Sequence, residues 1–133
     1  MGRTLVIIKP DAVERHLIGE IIKRFETAGF IVDGIKMLRL RPEDARRFYA
    51  VHEGKPFLNE LCEYMSSGPI VPMIIKSDGE TFARVRKFIG ATDPAKAEPG
   101  TIRRDLAINM TKNSVHASDS SENAEIEIKF FFG

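Results

Sequence analysis

The stretch KNSVHASDS, residues 112–120, surrounds a histidine with small and mostly polar side chains. A histidine that fills a core would have bulky apolar neighbours, whereas Ala117 and Ser118 leave room for a substrate to approach the His116 ring. A free imidazole, with a pKa of roughly 6.5, is largely neutral at pH 7 and keeps a nucleophilic nitrogen. His116 is therefore a candidate nucleophile that could carry a phosphoryl group and divide one transfer into two steps.

A nucleophilic histidine needs an acceptor that fixes its second ring nitrogen, and three glutamates follow within reach: Glu122, Glu125 and Glu127. A loop histidine whose ring bonds a backbone carbonyl is an equally compatible interpretation of this window. The other two histidines, His16 and His52, lack comparable surroundings. We interpret both as surface residues.

Phosphate binding in this chain has to rely on side chains, because the sequence has neither G-x-x-x-x-G-K-[ST] nor G-x-G-x-x-G. Lys9 ends the first apolar segment, where its ammonium would emerge at the end of a strand. Further basic candidates are Arg84, Arg86, Lys87, Arg103 and Arg104. The guanidinium fork suits phosphate oxygens. The alternatives are a surface lysine and a solvated helix face.

Composition narrows the class of protein. The 133 residues suffice for one domain, residues 1–133, with a core that needs no disulfide bonds or structural metal ions for stability. A formal net charge of +1 gives no general attraction to nucleic acid or an anionic membrane. The single Cys62 excludes internal disulfides and a multi-thiolate zinc site. The apolar run at residues 5–8 is too short for a signal or membrane segment, so we expect a cytoplasmic protein.

Hydrophobic periodicity predicts alternating strands and helices. Residues 4–8 are typical of a strand buried on both faces, and residues 17–25 have helical spacing. Residues 31–40 return to strand character, with Ile35, Met37 and either Leu38 or Leu40 facing inward. Residues 42–51 and 56–65 predict a helical hairpin. This part of the chain therefore has the order strand, helix, strand, helical hairpin.

Residues 70–76 predict another strand, which Pro72 would place at an edge or a bulge. A helix capped by Ser77 or Asp78 follows, and the Pro-rich residues 91–100 form a long loop. The last apolar run, residues 124–132, alternates like a strand, yet Asp119 and Glu122 resemble a capping box, so we favour a helix. The predicted fold is an α+β, ferredoxin-like β-α-β-β-α-β sandwich, with an antiparallel four-stranded sheet and helices on one face.

Taken together, the motifs resemble the nucleoside diphosphate kinase family along essentially the whole chain. The matching segments, in the family's order and spacing, are LVIIKPDAV, GEIIKRFETAGF, FYAVHEGKPF, YMSSGPIV, GATDPAKAEPGTIR and NSVHASDS. The resemblance implies Mg²⁺-dependent transfer of the γ-phosphoryl group from ATP or another nucleoside triphosphate to a nucleoside diphosphate. It also implies a ping-pong mechanism through a phosphohistidine, and a homo-oligomer with neither a membrane nor a specific nucleic acid as partner.

Within this resemblance, His116 would be the nucleophile, Glu127 would orient it, and Ser118 would support that contact. Lys9 and Tyr49 would meet the transferring phosphoryl group. The residues that would bind the rest of the nucleotide are Arg86, Thr92 and Arg103 for the phosphates, Asn113 with Lys9 for the sugar, and Phe57, Leu61 and Met110 for the base. Taken singly, Tyr49 and Phe57 fit a core role better. A stacked aromatic, however, would accept any base and predicts broad specificity.

Two departures from the family pattern leave questions open. Ala117 replaces the glycine of the usual His-Gly-Ser-Asp motif, at a cost of about 1 kcal/mol if the position needs positive φ. The printed sequence ends at Gly133 without the longer tail of many members, so tetramer and hexamer both stay open. We expect Mg²⁺ to bind mainly through the nucleotide's phosphates, with Asp119 as the candidate for a contact through water.

Two other classes of function compete with the kinase. A catalytically silent scaffold of the same fold is disfavoured, because the motif residues are retained. A ferredoxin-like RNA-binding module would need paired aromatic residues on the sheet and a basic face, and the predicted strands offer no such pair.

Overall fold

The computed structural model describes residues 2–133. Its helices and strands, in chain order, are β1 (Gly2–Ile8), α1 (Pro10–Glu14), α2 (Ile18–Thr27), β2 (Ile31–Ile35), α3 (Pro42–Phe48), α4 (Leu58–Met65), β3 (Val71–Ser77), α5 (Thr81–Ile89), α6 (Ile102–Leu106), β4 (Val115–Ala117) and α7 (Ser121–Phe132). Short 3₁₀ turns occupy Ala50–His52 and Pro94–Lys96. Within the described range, no helix has the length and apolarity that a membrane crossing requires.

The strands form one antiparallel sheet in the order β2-β3-β1-β4. Because α3 and α4 form a hairpin between β2 and β3, the predicted α+β sandwich with a helical insertion is confirmed. β1 is central and pairs with the short edge strand β4, which sets Ile7 opposite His116. The end of β1, where Lys9 lies, is thereby brought beside the histidine strand.

Helices cover both faces of the sheet, so the predicted cover on one face is wrong. Val6 and Ile8 of β1 pack in a cluster with α1, α2, α5 and α6. Leu5 and Ile7 pack in a second cluster with α3, α4 and α7. The physical reason is the continuous apolar run of β1, whose side chains alternate between the faces, so that each face needs a cover.

The second strand is shorter than predicted and faces the other way. β2 ends at Ile35, and Ile35 and Met37 are 48% and 57% exposed, so their predicted inward orientation is wrong. Leu40 is buried, as expected for one of the two leucines. The register shifts between Val32 and Gly34. Such an irregularity changes which residues face the core, and local alternation does not reveal it.

Pro72 lies in the interior of the sheet, because β3 sits between β2 and β1. The predicted edge position is therefore wrong. Pro72 is opposite Ile7, and its carbonyl accepts a hydrogen bond from the Lys36 N–H (3.2 Å), beyond the end of β2. In an antiparallel sheet, the backbone N and O atoms of one residue face the same neighbouring strand. The N–H that Pro72 lacks would therefore point toward the chain beyond the end of β2, where the ladder of hydrogen bonds has already ended.

Helix α5 begins two or three residues later than predicted. Its N-cap is Glu80 rather than Ser77 or Asp78, and Ser77 instead ends β3. The hydroxyl groups of Ser77 and Thr81 lie 3.0 Å apart within hydrogen-bond distance. The predicted end is confirmed at Gly90, whose φ of 92° is a backbone conformation that glycine adopts without strain.

The C-terminal run is a helix, as favoured, since α7 includes all of residues 124–132. Its cap is Ser120, whose hydroxyl accepts a hydrogen bond from the Asn123 N–H (3.1 Å). The expected cap, Asp119, lies one residue earlier. A serine three positions before a free N–H satisfies that donor as well as an aspartate would.

Candidate active site

A cleft of about 510 Å³ lies where β1 and β4 meet the α3–α4 hairpin and the loops around residues 92 and 110. The predicted site residues that line it are Lys9, Tyr49, Phe57, Leu61, Arg86, Thr92, Arg103, Met110, Asn113, His116, Asp119 and Glu127. Ser118 lies behind this surface and is fully buried. The structure thus brings together residues that are widely separated in the sequence, from Lys9 to Glu127.

His116 lies in β4 and is bound by a carboxylate. Its Nε2 is 3.0 Å from Oε1 of Glu127, and the Ser118 hydroxyl donates to the same oxygen (2.8 Å). A carboxylate only accepts, so in the neutral ring Nε2 carries the proton and Nδ1 keeps its lone pair. The alternative of a loop histidine bonded to a backbone carbonyl is wrong.

Glu127 is selected from the three candidate glutamates by the packing of α7. Ala124, Glu127 and Ile128 share the helix face that lies against the sheet, with the first and last of them buried. Glu125 points outward and pairs with Arg3 at 2.9 Å. Glu127 is therefore the acidic residue of this helix that reaches the histidine.

Lys9 is buried, with 6% of its surface exposed, so the surface-lysine alternative is wrong. Its Nζ donates to the Thr111 carbonyl (2.8 Å) and to Oδ1 of Asn113 (2.9 Å). Burial lowers the pKa of Lys9 to about 8, the nearby Arg103 lowers it too, and Asp11 acts in the opposite direction. The protonation of the Lys9 ammonium in the cleft therefore depends on its burial and on the charges of Arg103 and Asp11.

Asn113 ties two loops to Lys9. Its Nδ2 donates to the carbonyls of Thr92 (3.2 Å) and Met110 (3.1 Å), while its Oδ1 accepts from the lysine. The side chain is buried. Asn113 therefore joins the loops around residues 92 and 110 at the same cleft.

Two arginines add positive charge near the histidine. Arg103 is 5% exposed and donates to the carbonyls of Gly90 (3.1 Å) and Val115 (2.9 Å). Its Nε is buried and has no hydrogen-bond partner among residues 2–133. Arg86 donates to the carbonyl of Ala117 (3.2 Å). Burial, and then repulsion from Arg86, lower the pKa of Arg103 to about 10.

The other basic candidates fit the alternative of a solvated face. Arg84, Lys87 and Arg104 are exposed and do not line the cleft. The guanidinium of Arg84 lies 5.2 Å from the centroid of the Phe30 ring. On each helix, therefore, only the arginine that faces the sheet end reaches the cleft.

The opposite end of the cleft is aromatic and open. Phe57 is 47% exposed, which makes the core interpretation of this ring wrong, whereas Tyr49 is buried. Burial, followed by the charge of Glu127, raises the pKa of Tyr49. His52 stacks on Tyr49 (6.1 Å between centroids) and meets Phe57 edge-on (5.2 Å). His52 is thus a cleft residue, and its prediction as a surface residue is wrong.

Comparisons with known proteins agree along the chain. The family model described as nucleoside diphosphate kinase matches residues 2–133. The chain is 57% identical over 132 residues to the nucleoside diphosphate kinase of Desulfatibacillum aliphaticivorans, covering 99% of this chain and 95% of that protein. The chain belongs to the nucleoside diphosphate kinase family. Phosphoryl transfer between nucleotides is the activity of that family.

Solved structures of the family have the same fold. A crystal structure of the Aquifex aeolicus nucleoside diphosphate kinase superposes with a TM-score of 0.96 at 44% identity, covering 99% of this chain and 95% of that one. The Encephalitozoon cuniculi nucleoside diphosphate kinase gives a TM-score of 0.94 at 40% identity, covering 100% and 90% of the two chains.

The donor set of the cleft fits a metal that arrives with a nucleotide. Residues 2–133 contain no group of three His, Cys, Asp or Glu side chains placed to hold a metal ion. Glu127 is engaged by His116, and Asp119 lines the cleft while accepting a hydrogen bond from Asn123 (2.6 Å). One outer carboxylate beside several cations fits Mg²⁺ that keeps much of its water and is held by phosphates.

Ala117 causes no backbone strain in this member of the nucleoside diphosphate kinase family. It lies in β4, and the non-glycine residues with positive φ in the described part of the chain are His16 and Ser114. Because Ala117 does not have a positive φ, the expected conformational cost of alanine at this position does not arise. Its methyl group packs in the core beside β1.

Proposed function

We propose that this chain transfers the γ-phosphoryl group of ATP or another nucleoside triphosphate to a nucleoside diphosphate by a ping-pong mechanism, with His116 as the covalent carrier. The observation that carries the proposal is the Ser118–Glu127–His116 chain of hydrogen bonds, of 2.8 and 3.0 Å. It occupies Nε2 and leaves Nδ1 as the nucleophile. A positioned acceptor of this kind is how a weak nucleophile is activated.

In the first half-reaction, the lone pair of Nδ1 forms a bond to the γ-phosphorus, and the bond from phosphorus to the bridging β-oxygen breaks. The nucleoside diphosphate leaves with that electron pair. The imidazolium that results keeps its Nε2 proton, which Glu127 stabilises by charge and hydrogen bond. In the second half-reaction, an oxygen of an acceptor diphosphate attacks the same phosphorus and restores the neutral ring.

Cationic side chains supply most of the stabilisation that we propose for the transition state. A loose phosphoryl transition state asks mainly for alignment and positive charge. Lys9, Arg86 and Arg103 offer that charge around the phosphates, and Tyr49 and Thr92 offer hydroxyl groups. Mg²⁺, bound through the nucleotide's phosphates with Asp119 near its water shell, supplies further charge neutralisation when present.

The residues at the nucleoside end of the proposed site would accept many different bases rather than select one. Phe57 offers an exposed ring for stacking, and the apolar side chains of Leu61 and Met110 complete the slot. Stacking is tolerant because every base has a π-face. Asn113 and Lys9 would bond the sugar hydroxyls. We therefore propose broad base and sugar specificity.

We further propose that the chain acts in the cytoplasm as a homo-oligomer, tetramer or hexamer, with residues 1–133 forming one kinase domain. The exposed Ile31 and Ile35 of the edge strand β2, and Met37 just after it, support an association between copies. Apolar side chains on an unpaired strand edge are usually covered by another element or chain.

The covalent carrier is tested with ATP labelled at the γ-phosphate. The protein incubated with labelled ATP and Mg²⁺ is expected to acquire an acid-labile, base-stable label that GDP or UDP then removes. The matched pair of variants is His116→Ala and His16→Ala. The first should lose labelling while still binding nucleotide, and the second, an exposed histidine outside the cleft, should label normally.

Folded wild-type protein that acquires no label would refute the mechanism and favour a nucleotide-binding scaffold. Normal labelling of His116→Ala would mean that another residue is the nucleophile.

A further inference from the structure

A buried carboxylate lies directly behind the cleft, and both of its oxygens accept hydrogen bonds. Asp11 is 4% exposed, and its two oxygens accept from the Tyr64 hydroxyl and from Nη2 of Arg15 (3.0 Å). The Asp11 N–H in turn donates to the Tyr64 oxygen (2.9 Å). An arginine and a phenol therefore hold the Asp11 carboxylate in place beneath the start of α1.

Tyr64 links this carboxylate to the ammonium of Lys9. The Nζ of Lys9 lies 5.7 Å from the centroid of the Tyr64 ring, a distance at which the π-face attracts a cation. Burial first, and then the bond to Asp11, raise the pKa of Tyr64, so the phenol stays neutral. The ring is thus held by its hydroxyl at one end while its face borders the lysine.

The ammonium itself has one donor left for a ligand. Two of its three N–H groups are directed to Thr111 and Asn113. The third is therefore available to a phosphate or sugar oxygen in the cleft. A small rotation of the Lys9 side chain would turn its third N–H away from the cleft. The residues that hold the side chain therefore also determine the direction of this donor.

The same carboxylate is connected to the histidine strand. Arg15, which pairs with Asp11, also donates to the Ser114 hydroxyl (3.2 Å). Ser114 has a φ of 75°, and its carbonyl accepts from the Lys9 N–H (2.9 Å). The unusual backbone just before β4 is thus tied to the backbone of the lysine.

We propose that Asp11 and Tyr64 form a positioning pair that holds the ammonium of Lys9 in the cleft and keeps it charged. This inference rests on the proposed function, in which Lys9 meets the phosphoryl group. Neither residue lines the cleft, so both act through the lysine. The pair places a buried carboxylate behind a cleft whose lining includes three cationic side chains, Lys9, Arg86 and Arg103.

The electrostatic balance around Lys9 explains why such a pair is needed. The charged or titratable groups that surround it are Asp11 on α1, Arg15 just after α1, Tyr64 on α4, Arg86 on α5, Arg103 on α6, His116 on β4, Glu127 on α7 and Tyr49 after α3. Burial and Arg103 push the pKa of Lys9 down, and Asp11 pushes it up. Removal of the aspartate charge should therefore neutralise Lys9 at a lower pH.

A direct test follows the ionisation of Lys9 by NMR, without nucleotide. The ¹³Cε resonance of Lys9, assigned by its absence in Lys9→Arg, is titrated in the wild type and in Asp11→Asn. The wild-type midpoint is expected near pH 8. In Asp11→Asn it should fall by about 1 unit, the shift typical of losing a nearby opposite charge. The alkaline limb of the kcat/KM profile should move down with it.

Asp33→Asn is the matched control, because it removes the same charge from an ion pair with Lys76 (3.1 Å) on the β2 side of the sheet. Its Lys9 midpoint and kcat/KM should equal those of the wild type. An unmoved midpoint in folded Asp11→Asn, or an equal shift in Asp33→Asn, would overturn the proposal.

Tyr64→Phe separates positioning from charge. It keeps the ring and the aspartate but removes the hydroxyl that joins them. The Lys9 midpoint should stay in place while kcat/KM at pH 7 falls several-fold, because the ring is no longer anchored. Full activity in Tyr64→Phe would overturn the pair, and this variant decides the question if Asp11→Asn does not fold.

The NMR result also separates this inference from the proposed function. If wild-type protein transferred no phosphoryl group, the kinase proposal would fail, yet the shift of the Lys9 midpoint would still be measured. If transfer is normal and the midpoint is insensitive to Asp11, only the positioning pair fails.

Discussion

The two ends of the cleft are built in opposite ways. At the end proposed to bind phosphate, Lys9 and Arg103 are buried and directed by hydrogen bonds, and His116 is bound by Glu127 on a helix packed against the sheet. At the end proposed to bind the nucleoside, Phe57 and Met110 are 47% and 58% exposed, and both lie in connecting segments rather than in the sheet.

The difference follows from what each end has to do. Phosphoryl transfer depends on atoms held within fractions of an ångström, which rigid strands and packed helices provide. A base that only has to stack tolerates small movements of its platform. The rigid end should therefore govern kcat, and the open end should govern KM.

The largest expected effect is the loss of a cation at the phosphate end. Lys9→Ala should lower kcat by about 100- to 1,000-fold, the range for removal of one preorganised donor. Steady-state kinetics in a coupled assay would measure it, with exposed Lys23→Ala as the control. A loss below about tenfold would show that the arginines alone suffice, since such a loss falls short of that range.

Loss of the acceptor behind the histidine should come next. Glu127→Gln should lower kcat by about 100-fold, because it removes the charge that stabilises the imidazolium. Glu125→Gln makes the same change on the same helix but at a surface pair with Arg3, and it should keep full activity. Equal activity of the two variants would mean that the contact between Glu127 and His116 does not contribute to catalysis.

A smaller effect is expected at the open end. Phe57→Ala should raise KM by about tenfold, in line with 1–3 kcal/mol for one stacked base, and should change kcat much less. The increase should be similar for purine and pyrimidine acceptors. Phe57→Tyr keeps the ring and should restore KM. A loss confined to one class of base would contradict stacking as the main contact.

The smallest effect concerns the strand that carries the histidine. Ala117→Gly restores the residue usual in the family, but a glycine in a strand should cost about 0.5–1 kcal/mol of unfolding free energy. Turnover should be unchanged. Denaturant unfolding would measure the cost, and a more stable glycine variant would show that alanine strains the strand after all.

Local patterns predicted the elements whose packing is simple. The buried strand at residues 4–8 and the amphipathic α2 follow from period alone. The errors at Ile35, Met37 and Pro72 have one cause, since each depends on register with a strand that is distant in sequence. No local window contains that information.

The site residues also fall into those that the local sequence identifies and those that only tertiary packing identifies. His116 is recognisable from its small neighbours. The nearby sequence, however, offers three glutamates as possible partners of its ring, and only the packing of α7 selects Glu127. His52 and the Asp11–Tyr64 contact were missed, because each joins side chains of separate elements. Asp11 and Tyr64 are 53 positions apart and meet only once α1 and α4 are in place.

Glu127 occupies Nε2 of His116, and we propose that Nδ1 therefore takes the phosphoryl group. Alkaline digestion of the ³²P-labelled protein, followed by chromatography of the phosphohistidine against standards of the two ring isomers, tests this directly. We expect the Nδ1 isomer in the wild type, at residue 116 alone. The Nε2 isomer, or label on any other residue, would contradict it.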